Sequence, residues 1–213
     1  MRYLDGLHKI RSGDASGSVR ELLGAEQARV FFTDPPWGPG MMKYFQTLAD
    51  RDTGRSSPSP VRDYLDLVGD LASQANECTD GPVFIEYGIR WRDEVIRTCE
   101  SRGLIHLVTI QTKYAGGVFD MHIFSPSRQS SIYIRSLVQS PDYQRIAAET
   151  RGVTRGVHLV RPFVQLHRPS HMPSIIVDPC CGLGATFKIA KKVGMRFYGN
   201  ELNPKRLART EAV

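Results

Sequence analysis

The stretch SIIVDPCCGLGATF, residues 174–187, runs from three apolar residues into Asp178, then through Gly182 and Gly184 into an amphipathic segment. A short apolar run closed by an acid and two glycines reads as a buried strand, a tight turn and a helix. In open α/β sheets the crevice beyond the carboxyl ends of the strands is where nucleotide-like ligands bind. Two glycines also serve ordinary tight turns, so the turn alone decides nothing. Glu201 adds to it: it lies 23 residues beyond Asp178, at the end of the next apolar run, MRFYGNE, where a carboxylate can accept both hydroxyls of a ribose.

The same segment narrows the nucleoside. A dinucleotide site wants a third glycine three residues after the second, and Phe187 stands there. A GxxxxGK[ST] loop with a lysine for phosphates is absent, and a bulky Phe187 leaves little reason to expect a pyrophosphate at the helix start. S-adenosylmethionine, which carries a ribose but no phosphate, fits better than NAD or ATP.

A second acid-tipped strand stands near the other end of the chain, in RVFFTDPPWGPG, residues 29–40. In a parallel sheet Asp34 faces the same crevice as Asp178 and Glu201. Each proline lacks an N–H and has a fixed φ, so the direction of the backbone carbonyls is preset. A carboxylate (Asp34) and a carbonyl (Pro35) can hold the two N–H bonds of an exocyclic amine so that its nitrogen pyramidalises and its lone pair becomes nucleophilic. Trp37 offers a face on which a base swung out of a duplex can stack. The alternative is a Pro-Pro turn that ends a strand, with Trp37 as core.

Between these anchors, apolar runs alternate with amphipathic ones, as in a sheet with helices on both faces. LHKI, RVFFT, PVFIEY, LIHLVTIQ, PSIIVD and MRFYGNE read as strands. SVRELLG, residues 61–75, WRDEVIRTCESRG, ATFKIAKKVG and PKRLARTEA read as helices. Residues 38–60, rich in Gly, Pro and Ser, read as a long loop beside the functional turn. FDMHIF and SSIYIRS, either side of SPSRQ, read as an antiparallel hairpin at the sheet edge.

The two motifs together carry a resemblance. TDPPW resembles the catalytic motif of the amino-methyltransferases of nucleic acids, the adenine-N6 and cytosine-N4 enzymes, and DPCCGLGAT resembles their cofactor motif. The cofactor motif comes last here, similar to the permuted group called the beta class. Joining the chain's ends would restore a continuous series of strands and helices. The resemblance therefore implies an α/β, Rossmann-like fold in circularly permuted methyltransferase order. Its sheet is mixed and mostly parallel, with helices on both faces and an antiparallel edge hairpin, in one catalytic domain over residues 1–213.

It also implies roles. Asp34, Pro35, Pro36 and Trp37 are the catalytic residues. Asp178, Pro179, Cys180, Gly182, Gly184, Thr186 and Glu201 hold S-adenosylmethionine, and Asp14 and Ala15 border its adenine. HLVRPF, residues 158–163, resembles the segment that closes over the methionine end, with Arg161 and Phe163 at the cofactor. The aspartate of DPPW favours adenine N6 over cytosine N4, whose enzymes more often resemble a serine version. Only about 20 residues separate the expected hairpin from residue 158, where relatives with long recognition sites carry a substantial recognition region. That brevity keeps RNA, single strands and small amines open as substrates beside DNA.

Composition agrees with a polyanionic partner. There are 28 Lys and Arg against 22 Asp and Glu, a net charge of +6. Between Thr150 and Val177 there is no acid, and Arg151, Arg155, Arg161 and Arg168 are interleaved with His158, His167 and His171. Arg151, Arg155 and Arg168, with Lys43 and Tyr44 of the expected loop, are the nucleic-acid contacts we expect. Glu86 ends a strand and reaches the crevice, or is an ordinary strand-end acid. His8, His106 and His122, scattered over strands, read as structural or surface residues, and the four cysteines as buried thiols without a metal. With no apolar stretch of signal-peptide or membrane length, a cytoplasmic protein without a membrane partner is expected, and a homodimer is left open.

Overall fold

The computed structural model describes residues 2–4, 7–55, 61–114, 117–126, 128–150, 159–161 and 174–211. Its centre is an eight-stranded sheet. In chain order the strands are β1 (Arg2–Leu4), β2 (His8–Ser12), β3 (Val30–Thr33), β4 (Val83–Gly88), β5 (Ile105–Tyr114), β6 (Gly117–Ser125), β7 (Ile175–Asp178) and β8 (Arg196–Glu201). Their order across the sheet is β1-β2-β8-β7-β3-β4-β6-β5. The five central strands, β2 to β4 in that order, run parallel, and β1 and the β5–β6 hairpin are antiparallel at the two edges.

β3, β4 and β7 are buried along their whole length, which is why they read as unbroken apolar runs rather than alternating ones. Successive residues still point to opposite faces. Val30, Phe32, Phe84, Ile176 and Phe197 pack into one core layer, and Phe31, Val83, Ile85, Ile175 and Val177 into the other. The second layer is completed by α1 (Ser18–Leu23), α2 (Gly38–Thr53), α3 (Tyr64–Cys78) and α4 (Arg92–Ser101). The first is completed by α5 (Arg128–Val138), α6 (Pro141–Thr150), α7 (Ala185–Val193) and α8 (Pro204–Glu211).

The connections place the site. From β3 the chain crosses through α2 and α3 to β4, and from the adjacent β7 it crosses through α7 to β8. The two crossovers leave neighbouring strands in opposite directions and put their helices on opposite faces, as right-handed connections require. The carboxyl ends of β3 and β7 therefore flank a topological switch point, where the loops part and a crevice opens. The first and last parallel strands close the permuted series side by side: Lys9 pairs with Tyr198 and Ser12 with Glu201.

Two expectations are corrected. Residues 38–53 form α2, not a loop. Gly38 and Pro39 occupy the first helical turn, where a proline costs no hydrogen bond, and Gly54, at φ 72°, ends the helix. Residues 56–60 lie outside the described residues. Residues 130–136 are helical within α5, and the edge hairpin is made by β5 and β6. Ile132 and Ile134 suggest alternation, but Ile132 is exposed while Ile134, Leu137 and Val138 are buried, the i, i+3, i+4 stripe of a helix. No helix among the described residues is long and apolar enough to cross a membrane.

Candidate active site

Two adjoining cavities open at the switch point. The first is walled by Gly13, Asp14 and Ala15 after β2, by Asn200 to Asn203 at the end of β8, and by Pro179, Cys180 and Gly182 after β7. Met42, Phe45 and Gln46 of α2, with Arg62 and Leu67, close its far side. The second is walled by Asp34, Pro35, Pro36 and Trp37, by Met41 and Phe45, by Glu86, and by Asp178, Leu183 and Thr186 at the turn into α7. Asp34, Pro36, Phe45, Cys180, Gly182 and Arg206 line both. Asp34 therefore stands on the boundary between them.

The proline turn is held from β4. The Tyr87 hydroxyl, fully buried, donates to the Pro36 carbonyl at 3.1 Å and accepts the Gly38 N–H at 2.9 Å. Burial pushes that hydroxyl above the usual range of a phenol, so it stays a donor. Gly38 has φ 65°, and a Cβ there would lie 2.3 Å from Cζ2 of Trp91. Glycine is thus demanded by both the backbone and the wedge of Trp91. The Trp37 ring packs on Phe119 of β6, centroids 4.3 Å apart, and turns toward the second cavity. Glu86, buried beside it, accepts the Thr112 hydroxyl at 2.8 Å.

The glycine turn is tied by two carboxylates. Asp178 accepts the Cys180 N–H at 3.1 Å and the Thr186 hydroxyl at 2.6 Å, which fastens the turn to the first turn of α7. Burial, offset in part by those bonds, raises its carboxyl to about 7. Glu201 accepts the Gly182 N–H on Oε2 and the Asn203 N–H on Oε1, both at 2.9 Å. Burial raises its carboxyl too, against the pull of those N–H groups and of Arg206. The Leu202 N–H also acts on this carboxylate, whose two oxygens together still have acceptor capacity for a ligand. Gly182 and Gly184 have φ 56° and 77°; Gly184 packs on Thr210, where a Cβ would lie 2.6 Å from Cγ2, and lines neither cavity.

The raised acid makes a prediction. With a folded value near 7 against 3.8 in an unfolded chain, the folded protein binds the extra proton between those values, so stability falls as pH rises through this window. Asp178→Asn keeps an acceptor for the Cys180 N–H and does not titrate. Its denaturation midpoint should vary less than that of the unaltered protein over the same range, measured by thermal melts; an unchanged slope would assign the dependence elsewhere.

Of the residues singled out from the sequence, Asp14, Ala15, Asp34, Pro35, Pro36, Trp37, Asp178, Pro179, Cys180, Gly182, Thr186 and Glu201 line one cavity or both. Lys43 and Tyr44 are exposed on α2. Arg161 is exposed and lines neither cavity, while the adjacent Leu159 and Val160 are core. Phe163, Arg151, Arg155 and Arg168 lie outside the described residues.

Phe45, read from the sequence as gripping a flipped base or packing the segment down, lines both cavities; Tyr87, Asn200, Asn203 and Arg206 were missed. Asn200, in β8, ties together the turns after β2 and β7: its amide donates to the carbonyls of Gly13 and Pro179 at 3.0 and 3.1 Å, and its oxygen accepts from Arg11 of β2 at 3.0 Å. Asn203 caps α8 by accepting the Lys205 N–H at 2.9 Å, a signal legible in NPK. His8 accepts the Phe197 N–H at 3.0 Å. His106 and His122 share the Thr109 hydroxyl, and burial pulls both below the usual imidazole range, His122 to about 4. Burial pushes the Cys180 and Cys181 thiols well up, so neither is poised as a nucleophile. The described residues contain no His, Cys, Asp or Glu cluster that could hold a metal.

No family model and no curated protein matches the chain. Among solved structures it is similar to TTHA0409 of Thermus thermophilus, named a candidate DNA modification methylase, in complex with S-adenosyl-L-methionine. The identity is 16%, over 95% of this chain and 91% of that one, with a TM-score of 0.61. M1.HpyAVI is 14% identical over 96% of this chain and 97% of its own, TM-score 0.60. The cytosine-N4-specific PvuII DNA methyltransferase is 15% identical over 98% and 86%, TM-score 0.61. At such identities the likeness establishes a shared fold, extending over nearly the whole chain.

Proposed function

We propose that this protein transfers a methyl group from S-adenosyl-L-methionine to the exocyclic amine of a nucleobase in DNA, with adenine N6 the preferred target. The observation that carries the reading is the position of Asp34 on the boundary of two cavities. One cavity is suited to a nucleoside and the other to a flat base. TTHA0409 and M1.HpyAVI, which share the fold, have been solved with the same cofactor, and PvuII acts on an exocyclic amine of DNA.

The residues of the first cavity fit the cofactor. Glu201 has both oxygens oriented by backbone N–H groups and can accept the two ribose hydroxyls. Asp14 and Ala15 border the space an adenine would take, and the acids Asp14 and Glu201 on the wall complement a cationic ligand. When bound, the cofactor supplies a methyl group on a positively charged sulfur that leaves as a neutral thioether.

In the second cavity Asp34 accepts one N–H of the base amine and the Pro35 carbonyl accepts the other. The amine nitrogen is thereby drawn out of conjugation, with its lone pair aimed across the boundary. Tyr87 occupies the Pro36 carbonyl and so fixes the turn on which both acceptors ride. Trp37 covers the base. No base is needed before transfer, because the methylated nitrogen sheds its proton afterwards.

The purified protein would be incubated with methyl-labelled cofactor and, separately, duplex DNA, single-stranded DNA, RNA and free nucleosides. The products would then be digested and separated. Label in N6-methyladenine from duplex DNA is expected. Label in N4-methylcytosine would shift the target base, label in RNA, single strands or a nucleoside would shift the substrate, and cofactor binding with no label anywhere would leave an inactive binding module.

A further inference from the structure

The cofactor carries one anionic group, the α-carboxylate of its methionine end, into a cavity whose wall holds three acids, Asp14, Asp34 and Glu201. A carboxylate placed among carboxylates needs a cation. Among the described residues lining either cavity the cations are Arg62 and Arg206. Arg62 is already engaged: it donates to the Ser16 hydroxyl, the Asp66 carbonyl and the Asp70 carboxylate.

Arg206 is placed differently. It lines both cavities, and its backbone N–H is anchored on Asn203 at 3.1 Å in the first turn of α8. Its guanidinium lies over the Phe45 ring, 5.0 Å from the centroid. A terminal nitrogen comes so close to the glycine turn that a Cβ on Gly182 would lie 3.1 Å from it. Its Nε is buried and has no hydrogen-bond partner among the described residues, so no internal acceptor holds the guanidinium at that atom. A guanidinium stacked on an aromatic ring keeps its in-plane edge of donors free to take a carboxylate in two parallel bonds.

We infer that Arg206, held flat by Phe45, is the residue that binds the amino-acid carboxylate of the cofactor. The assignment rests on the cofactor reading above. It also moves the anchor of the methionine end from Arg161, whose side chain is exposed, to the first turn of α8. The result is a ligand gripped at both ends by neighbouring parts of one strand and helix: ribose by Glu201, carboxylate by Arg206 five residues later.

Two ligands separate this role from a structural one. S-adenosylhomocysteine carries the amino-acid tail, and 5′-methylthioadenosine has the same nucleoside and sulfur without it. By titration calorimetry, Arg206→Leu should weaken S-adenosylhomocysteine about tenfold to a hundredfold, the worth of a charge-assisted pair, and leave 5′-methylthioadenosine within about twofold. Arg206→Lys should recover part of the loss. Equal weakening of both ligands, or of neither, would overturn the assignment while leaving the cofactor reading intact. An unaltered protein that bound neither these two nor S-adenosylmethionine would overturn the cofactor reading and this assignment with it.

Discussion

Asp34→Ala is expected to reduce methyl transfer at least about a thousandfold while changing cofactor affinity no more than about threefold, because removing one preorganised hydrogen-bonding group aimed at a reacting centre costs roughly a hundredfold to a thousandfold and the lost negative charge adds to that. The amine of adenine or cytosine is a weak nucleophile because its lone pair belongs to the ring. Asp34 is the one group of the proline turn that can both accept an N–H and, by its charge, stabilise the positive charge that develops on the nitrogen. Pro35 supplies a second acceptor but no charge, so the variant keeps half the geometry and none of the electrostatics. Asp34→Asn should fall between the two: its oxygen still accepts, but its NH₂ turns a donor toward a donor in one of its two orientations. Initial rates with saturating DNA, together with calorimetric cofactor affinity, check both parts. An Asp34→Ala protein that transferred methyl at near the normal rate would refute the mechanism, and one that bound no cofactor would make Asp34 a residue of the cofactor cavity first.

The fold was legible where local and tertiary demands agree. IIVD and VFFT are short, wholly apolar runs tipped by acids, and strands buried on both faces can look no other way. Phe187, the bulky residue standing where a dinucleotide site wants glycine, is core. The failures came where one residue type has two uses. Gly38 and Pro39 read as loop punctuation, but a proline in the first turn starts a helix as readily as it breaks one. Ile132 and Ile134 read as alternation until the burial of Leu137 and Val138 shows the longer period.

The cavity-lining residues that the sequence pointed to are those whose chemistry is unusual at their position: an acid at a strand end, two prolines, the first glycine of the turn. Those missed act by being near something distant in sequence. Tyr87 lies 51 residues from the Pro36 carbonyl it holds, and Asn200 lies 187 from Gly13. Nothing within VFIEYG announces a clamp, because a tyrosine in a buried strand is ordinary core until its hydroxyl is seen to have a partner.

The second large effect is expected at Glu201. Glu201→Gln is nearly isosteric, yet it should lower cofactor affinity by about a hundredfold or more and also lower the melting temperature, a combination that ribose contact alone does not explain. The reason is the direction of the existing bonds. Both carboxylate oxygens accept backbone N–H groups, Gly182 on one side and Asn203 on the other. A glutamine can accept on one side only, and whichever way it turns, its NH₂ meets an N–H. One buried donor is left unmade, at about 1–3 kcal/mol, and the turn carrying Gly182 or the cap begun by Asn203 is released. The ribose then loses an acceptor and the rigid frame that held it.

The pH dependence of binding follows with its sign. Because burial raises the Glu201 carboxyl above the usual range, and the ionised form is the better acceptor of two hydroxyls, cofactor affinity should rise with pH through that elevated value and then level off. Glu201→Gln should remove the rise along with the affinity. If calorimetry across this range showed the same curve in both proteins, the titrating group would be another, and Glu201 would be a strut of the glycine turn that does not touch the ligand.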